Sequence, residues 1–474
     1  MLQCSASSES GPRKARVGCS QGWGWFPARV ETRAVRIVAA LANDDSIARR
    51  RFLSPRIFLF WFMTLLLSAE SARALTLAEA EAQLVANNRD LQAARRAIAS
   101  AEAQHLIAGE RPNATFSVNS SSIGSNPGVG PGALDQKRID TVFRIDQPFE
   151  RGDKRELRLD AASGLQRAAH NDSLDVLRQQ LAAVRGAYYD LKQAQERVTV
   201  LGESAQLFAG TLSAAQARLK AGDLAPADVA KVQVDFDRAQ NYSRGALADL
   251  TRARLALAYM IGMENAAAQL QATDPWPALE RADPGALEDA IEARPDVLAA
   301  SSRVEAAEKF RDLAKAQRTR DVTVGAQFER FPGSLPTNSV GFGVSIPLFT
   351  GSDFSGEIRK AEIDRYTALD AAARARAVAA TELRRAASDL DAAAERVERY
   401  EGSLLDAAGR SAQAAEFAFQ RGAISVLEVL DARRTLRAVQ VEAVAARADY
   451  SKALAAWRAS GSSAESLAQK EITR

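Results

Sequence analysis

Between Glu156 and Lys220 the large apolar residues Leu174, Leu177, Leu181, Val184, Tyr188 and Leu191 fall three and four positions apart. That spacing lays one stripe along one side of a helix, the seam of a coiled coil. No proline interrupts the stretch, so the pattern predicts a single helix on the order of 95 Å long at 1.5 Å per residue. The stripe returns as Leu383, Ala386, Leu390, Ala393, Val397, Tyr400 and Leu404. Gly222 and Gly422 then let the chain reverse into a second long helix, because glycine takes the left-handed backbone of a sharp helix exit. Alanine along the seams allows close helix approach.

A period of two replaces the helical period in four short stretches. Val322, Val324, Ala326 and Phe328 alternate with Thr323, Gly325, Gln327 and Glu329. Val340, Phe342, Val344 and Ile346 alternate with Gly341, Gly343 and Ser345. Ile139, Thr141, Phe143 and Ile145 alternate with Asp140, Val142, Arg144 and Asp146, and Phe116 and Val118 mark a weaker partner. Gly/Pro/Ser-rich loops at Ser117–Gly132 and Phe331–Asn338 separate the members of each pair. Alone, each pair reads as a hairpin packed on the helices. About ten residues per strand, with one apolar and one polar face, equally suits a strand of an outer-membrane barrel.

The two halves of the chain repeat each other. Leu77-Ala78-Glu79-Ala80 is echoed by Leu287-Glu288-Asp289-Ala290, and Asp90-Leu91-Gln92-Ala93-Ala94 by Asp296-Val297-Leu298-Ala299-Ala300. Gln147-Pro148-Phe149 matches Ile346-Pro347-Leu348-Phe349, Lys220-Ala221-Gly222 matches Gln420-Arg421-Gly422, and Gly262 matches Gly461. Landmarks in one order, at a period near 200 residues, mark a duplicated domain rather than a solenoid. The expected repeats are 75–270 and 271–474, each a helix, two strands and two long helices.

Ahead of them, Arg49, Arg50, Arg51 and Arg56 precede the apolar run Ile57–Leu67 and the small-x-small triplet Ala72-Arg73-Ala74. These are the three parts of a secretory signal peptide, expected over 49–74 with cleavage after Ala74. The run is short for a transmembrane anchor, and the arginine pattern also resembles a twin-arginine leader. Residues 1–48 show neither period and are expected to be a non-structural extension, with translation starting downstream of Met1.

The leader changes the charge and the strand reading together. The whole chain carries 62 Lys and Arg against 59 Asp and Glu, net +3. Residues 1–74 hold 11 of the former and 5 of the latter, so the remaining 400 residues come to net −3. That balance excludes a general nucleic-acid binder. A secreted, duplicated chain with four amphipathic strands points to a barrel. Four strands cannot close one, and open edges are not tolerated in lipid, so several chains must share it; three give twelve strands. Both cysteines, Cys4 and Cys19, precede the leader, and His105 and His170 are the only histidines, so a Cys/His metal centre is excluded. No phosphate loop or metalloprotease motif is present, Gly341-x-Gly343 sits in a strand, and no catalytic residue, cofactor or resident metal is expected.

With these features the chain resembles the TolC-like outer-membrane efflux family, and within it the outer-membrane component of cobalt–zinc–cadmium efflux systems. The resemblance runs over 75–474 and rests on Gly109-Glu110-Arg111-Pro112-Asn113, Glu150-Arg151-Gly152-Asp153-Lys154-Arg155, Arg294-Pro295-Asp296-Val297 and Asn338 through Phe349. It implies a mainly α fold with a small β part. A homotrimer would share a twelve-stranded barrel in outer-membrane lipid above a coiled-coil tunnel crossing the periplasm. A periplasmic adaptor (membrane fusion) protein and an inner-membrane resistance-nodulation-division pump are the implied partners. The family's adaptor-docking helix-turn tips map onto Lys220, Gly222, Arg421 and Gly422, and its acidic periplasmic gate onto Asp228, Glu428 and Asp431. Rings of such acids attract cations; the same acids near helix starts also suit the helix dipole. Ile424 stands where the family has a gate arginine, and Phe419 where it has a nearby tyrosine. The implied function is passive export of heavy-metal cations. The alternatives are a duct for drugs or a type I secreted polypeptide, and a soluble periplasmic coiled-coil scaffold, with a metalloenzyme more distant.

Overall fold

A computed structural model describes residues 73–121, 139–283, 287–331 and 337–472. The expected extension, the leader up to residue 72, both cysteines and most of the two Gly/Pro/Ser loops lie outside the described residues. The first half runs β1 (Arg73–Leu75), α1 (Leu77–Asn87), α2 (Arg89–Gly109), β2 (Thr115–Ser121), β3 (Asp140–Phe149), α3 (Lys154–Lys220) and α4 (Pro226–Ile261). A 3-10 turn (Glu264–Gln269) and β4 (Leu270–Ala272) follow. The second half repeats the order as α5 (Leu287–Glu292), α6 (Pro295–Ala316), β5 (Val322–Phe331), β6 (Thr337–Ser345), α7 (Ser355–Arg399), α8 (Leu405–Gln420) and α9 (Val426–Ser460), then α10 (Ala464–Ile472).

The 67-residue α3 is the predicted long helix, and its stripe is the core. Leu174, Leu177, Leu181, Val184, Tyr188 and Leu191 are all buried, packed with Leu84, Leu91, Leu257 and Ile261 of α1, α2 and α4. Two breaks depart from the simple reading. The first helix of the first half is divided at Asn88, whose extended backbone ends α1 while its carbonyl oxygen Oδ1 accepts the Asp90 and Leu91 N–H groups to start α2. In the second half a π turn at Tyr400–Leu404 separates α7 from α8. Its wider coil rotates the stripe out of phase, so Leu383 to Val397 are buried while Leu404 is exposed.

The strands form one antiparallel sheet in the order β2-β3-β5-β6, so the two halves join at β3–β5. The register sets Phe116 opposite Ile145, Val118 opposite Phe143, Phe143 opposite Phe328, and Phe328 opposite Val340. Because side chains alternate across a strand, these residues share one face with Val324, Phe342 and Val344. That face is bare: Phe342 is 83% exposed and Val340 67%. The opposite face is polar. No helix among the described residues is long and apolar enough to cross a membrane.

A parallel pair of three-residue strands, β1 and β4, was not foreseen. It takes in Arg73 and Ala74, the last residues of the expected leader, opposite Leu270 and Gln271. The buried Tyr188 hydroxyl donates to Leu75 O (3.0 Å) and accepts N–H bonds from Thr273 and Asp274 (3.1 Å each), tying this pair to the middle of α3.

Candidate functional site at the helical tips

Both long hairpins turn by the same device. Gly222 has φ +83° and Gly422 φ +75°. In the first tip the Gly222 N–H bonds Leu219 O (3.0 Å) and the Asp223 N–H bonds Arg218 O (2.9 Å). In the second, Gly422 N–H bonds Phe419 O and Ala423 N–H bonds Ala418 O, both at 2.9 Å. This is the Schellman arrangement, which needs a left-handed residue at the turn. Space does not require glycine here, since an added Cβ would meet nothing within 4 Å at either position. Gly222, Arg421 and Gly422 lie exposed at the turns, with Lys220 at the end of α3 beside them.

The tips do not stand apart. Phe208, Leu212 and Ala215 of α3, Val232 and Ala239 of α4, Phe419 of α8, and Val426, Val429 and Leu430 of α9 make one buried cluster. Ile424 and Leu224 pack against it. Of the two departures from the family pattern, Phe419 therefore fills the core between the hairpins and Ile424 packs, partly buried, against it. The Arg218 guanidinium lies 4.2 Å over the Phe419 ring, a cation–π contact closing one side of the cluster.

Two of the predicted acids, Asp228 and Glu428, occupy the first turns of α4 and α9. Asp228 accepts a bond from Lys231 Nζ (3.1 Å) on its own helix. Glu428 closes a capping box, its Oε1 accepting the Ser425 N–H (3.3 Å) and hydroxyl (3.1 Å). Asp431 lies exposed three residues on, a spacing that puts it on the same helix face as Glu428. The helix-start role is thus occupied by Asp228 and Glu428, and the capping bonds leave the Glu428 side chain exposed.

The polar contacts between hairpins come from residues the pattern did not single out. Arg434 of α9 donates from Nε (3.2 Å) and Nη2 (2.5 Å) to the two oxygens of Asp235 on α4. Neighbouring Arg433 bonds Leu207 O at 2.8 Å, the Thr211 hydroxyl and the Glu416 carboxylate. One signal was available: Asp235 lies between Val232 and Ala239 on the buried stripe of α4, where a lone carboxylate needs a partner.

At the opposite end of α3, two motifs quoted from the sequence meet. Arg155 Nε donates to Gly109 O (2.7 Å), and Arg158 grips both oxygens of Glu150 (2.5 and 2.9 Å) and Glu110 O (3.3 Å). Buried Lys154 bonds Thr319 O (2.9 Å) and Asp321 Oδ1 (2.8 Å). These contacts fix the sheet to the helices. Arg294, fully buried, pairs with Asp296 and Glu382 at 2.7 and 2.8 Å. Burial pulls the Asp296 carboxyl upward, but the guanidinium outweighs it and holds the acid below its usual range.

The sequence profile of the outer membrane efflux protein family matches residues 81–263 and 286–460. The chain belongs to the outer membrane efflux protein family. A similar member is the cobalt-zinc-cadmium resistance protein CzcC of Cupriavidus metallidurans, 28% identical over 298 residues, 62% of this chain and 71% of CzcC. Of the solved outer membrane efflux structures, CusC superposes with a TM-score of 0.70 at 17% identity, covering 82% of this chain and 92% of CusC. The CmeC outer membrane channel of Campylobacter jejuni gives 0.71 at 14%, covering 83% and 89%. At those identities the likeness shows the fold, that of TolC-like channels. As an outer membrane efflux protein, the chain is an efflux channel of the outer membrane.

Proposed function

We propose that three copies of this chain share a twelve-stranded outer-membrane barrel and a helical tunnel in the periplasm, the exit duct of a tripartite efflux system for heavy-metal cations. The observation that carries the shared barrel is the four-stranded sheet, apolar and bare on one face, polar on the other, with open edges at β2 and β6. Lipid tolerates no unpaired edge, so β2 of one copy would pair with β6 of the next. The similarity to CzcC, whose name states cobalt, zinc and cadmium resistance, supports the cargo.

In this reading residues 49–74 direct export and are removed, and the repeats 75–270 and 271–474 build the duct. Lys220, Gly222, Arg421 and Gly422 present the docking tips to a periplasmic adaptor. Energy comes from an inner-membrane resistance-nodulation-division pump, and the duct itself is passive. Asp228, Glu428 and Asp431, brought around a threefold axis, form negative rings at the entrance that draw in cations. The Arg434–Asp235 pair and the bonds from Arg433 to Leu207 O and the Thr211 hydroxyl hold the two hairpins of each chain together and so keep the entrance narrow.

Two measurements test this. Native mass of the protein extracted from outer membranes should give a trimer; a soluble monomer would sink the duct. A strain lacking the gene should lose tolerance to cobalt, zinc or cadmium while tolerance to dyes and antibiotics is kept. Unchanged metal tolerance would overturn the cargo and leave the duct standing.

A further inference from the structure

The polar face of the sheet carries a line of bonds that the reading above does not use. Arg144 Nε donates to Asp146 Oδ2 (2.7 Å), and its Nη1 donates to Gln327 Oε1 (3.1 Å). Gln327 Nε2 donates to Glu329 Oε1, and the Ser339 hydroxyl donates to Glu329 Oε2 (3.1 Å). The line crosses three strands, because the register puts Arg144 opposite Gln327 and Glu329 opposite Ser339.

Glycine clears the ground beneath it. Gly325 sits opposite Asp146, with Gly343 next to Gly325 and Gly341 next to Gln327. A Cβ on Gly325 would collide with the Asp146 carboxylate and come 2.9 Å from Arg144 Nη2; one on Gly341 would come 3.0 Å from Gln327 Cγ. The long polar side chains therefore lie flat on the sheet.

The charges along this line do not cancel. Asp146 is neutralised by Arg144 at hydrogen-bond distance. Glu329 is bonded to an amide and a hydroxyl, which fix its position and leave its charge. Both pairs face away from the apolar side, hence toward the lumen of the shared barrel on which this inference rests.

We propose that Glu329 is a selectivity-determining residue of the barrel lumen. Three copies form a ring of fixed negative charge that favours hydrated cations, while Arg144, laid flat and neutralised by Asp146, is prevented from reversing the field. A ring of charge in a low-dielectric wall raises the local concentration of counter-ions without binding them tightly.

The test uses the full chain reconstituted in neutral planar bilayers, with D228N/E428Q/D431N as the parent so that the tip acids do not mask the barrel. Reversal potentials across a KCl gradient should show a cation-preferring parent. E329Q should lower the potassium-to-chloride permeability ratio about twofold or more. R144Q should raise it by freeing the Asp146 charge, and E329D should keep the parent value. An unchanged ratio in E329Q with conductance intact overturns the proposal, as does E329D behaving like E329Q. Absence of conductance from the wild-type protein and the parent alike overturns the shared barrel, and the proposal falls with it.

Discussion

Arg434 reaches across from α9 to close on both oxygens of Asp235 in α4, and the two partners differ sharply in exposure. The Arg434 side chain is 45% exposed and that of Asp235 only 5%. Removing the arginine strands a buried carboxylate, whereas removing the acid leaves a guanidinium that can turn to water. R434A is therefore expected to cost about 3 kcal/mol locally and D235A about 1 kcal/mol. Hydrogen exchange over 205–240 reads this, since the tip can open without global unfolding. Equal losses, or a larger one in D235A, would contradict the asymmetry.

Phe417 and Phe419 lie two residues apart on α8, one 61% exposed and the other 7%. F419A should destabilise the tip by about 3–4 kcal/mol through the cavity left between the hairpins. F417A removes a mostly exposed ring lying beneath the Arg421 guanidinium and should change tip stability by less than about 0.5 kcal/mol. Limited proteolysis at the tips measures both; comparable sensitivity would show that Phe419 does not anchor the cluster.

At the turns the cost of substitution is purely one of backbone, because space around both glycines is open. G222A and G422A should each lose about 1 kcal/mol. Asparagine, which tolerates the left-handed region better, should lose less at either position. If alanine and asparagine behave alike in tip hydrogen exchange, left-handed strain is not what selects glycine.

Tyr188 makes stability fall on the alkaline side. Burial holds its hydroxyl protonated up to about 12, against the opposing pull of the Asp274 and Thr273 N–H groups that donate to its oxygen. A tyrosine in the unfolded chain ionises near 10, so the unfolded state sheds its proton first as pH rises. The Tyr188 contribution is whole below pH 10 and is lost between about 10 and 12. Y188F should cost about 2 kcal/mol at neutral pH and show a shallower decline through that window. An unaltered alkaline slope in melting experiments would rule the tyrosine out.

Much of this architecture was legible along the chain because it depends on periodicity. The stripe from Leu174 to Leu191 needed only the helical repeat, and the alternation through Phe328 and Val340 needed only the pleat. The second stripe failed at Leu404, where a π turn shifts the phase without a proline to announce it. β1 and β4 left no trace, since three residues are too few to show a period. Phe419 and Ile424 were visible as departures from a family pattern, but their packing between two hairpins was not.

Local patterning thus settles which residues form helices and strands and which face of each is apolar, because those follow from backbone geometry and side-chain chemistry a few residues apart. Pairing between distant segments lies beyond it. Arg434 meets Asp235 at a separation of 199 residues, and Arg144 meets Gln327 at 183. Nothing near either residue in sequence names its partner. Only the packing of one hairpin on the other, and the joining of the halves at β3–β5, brings these partners within bonding distance. Those contacts decide how the tips are held and which charge in the sheet is left uncancelled.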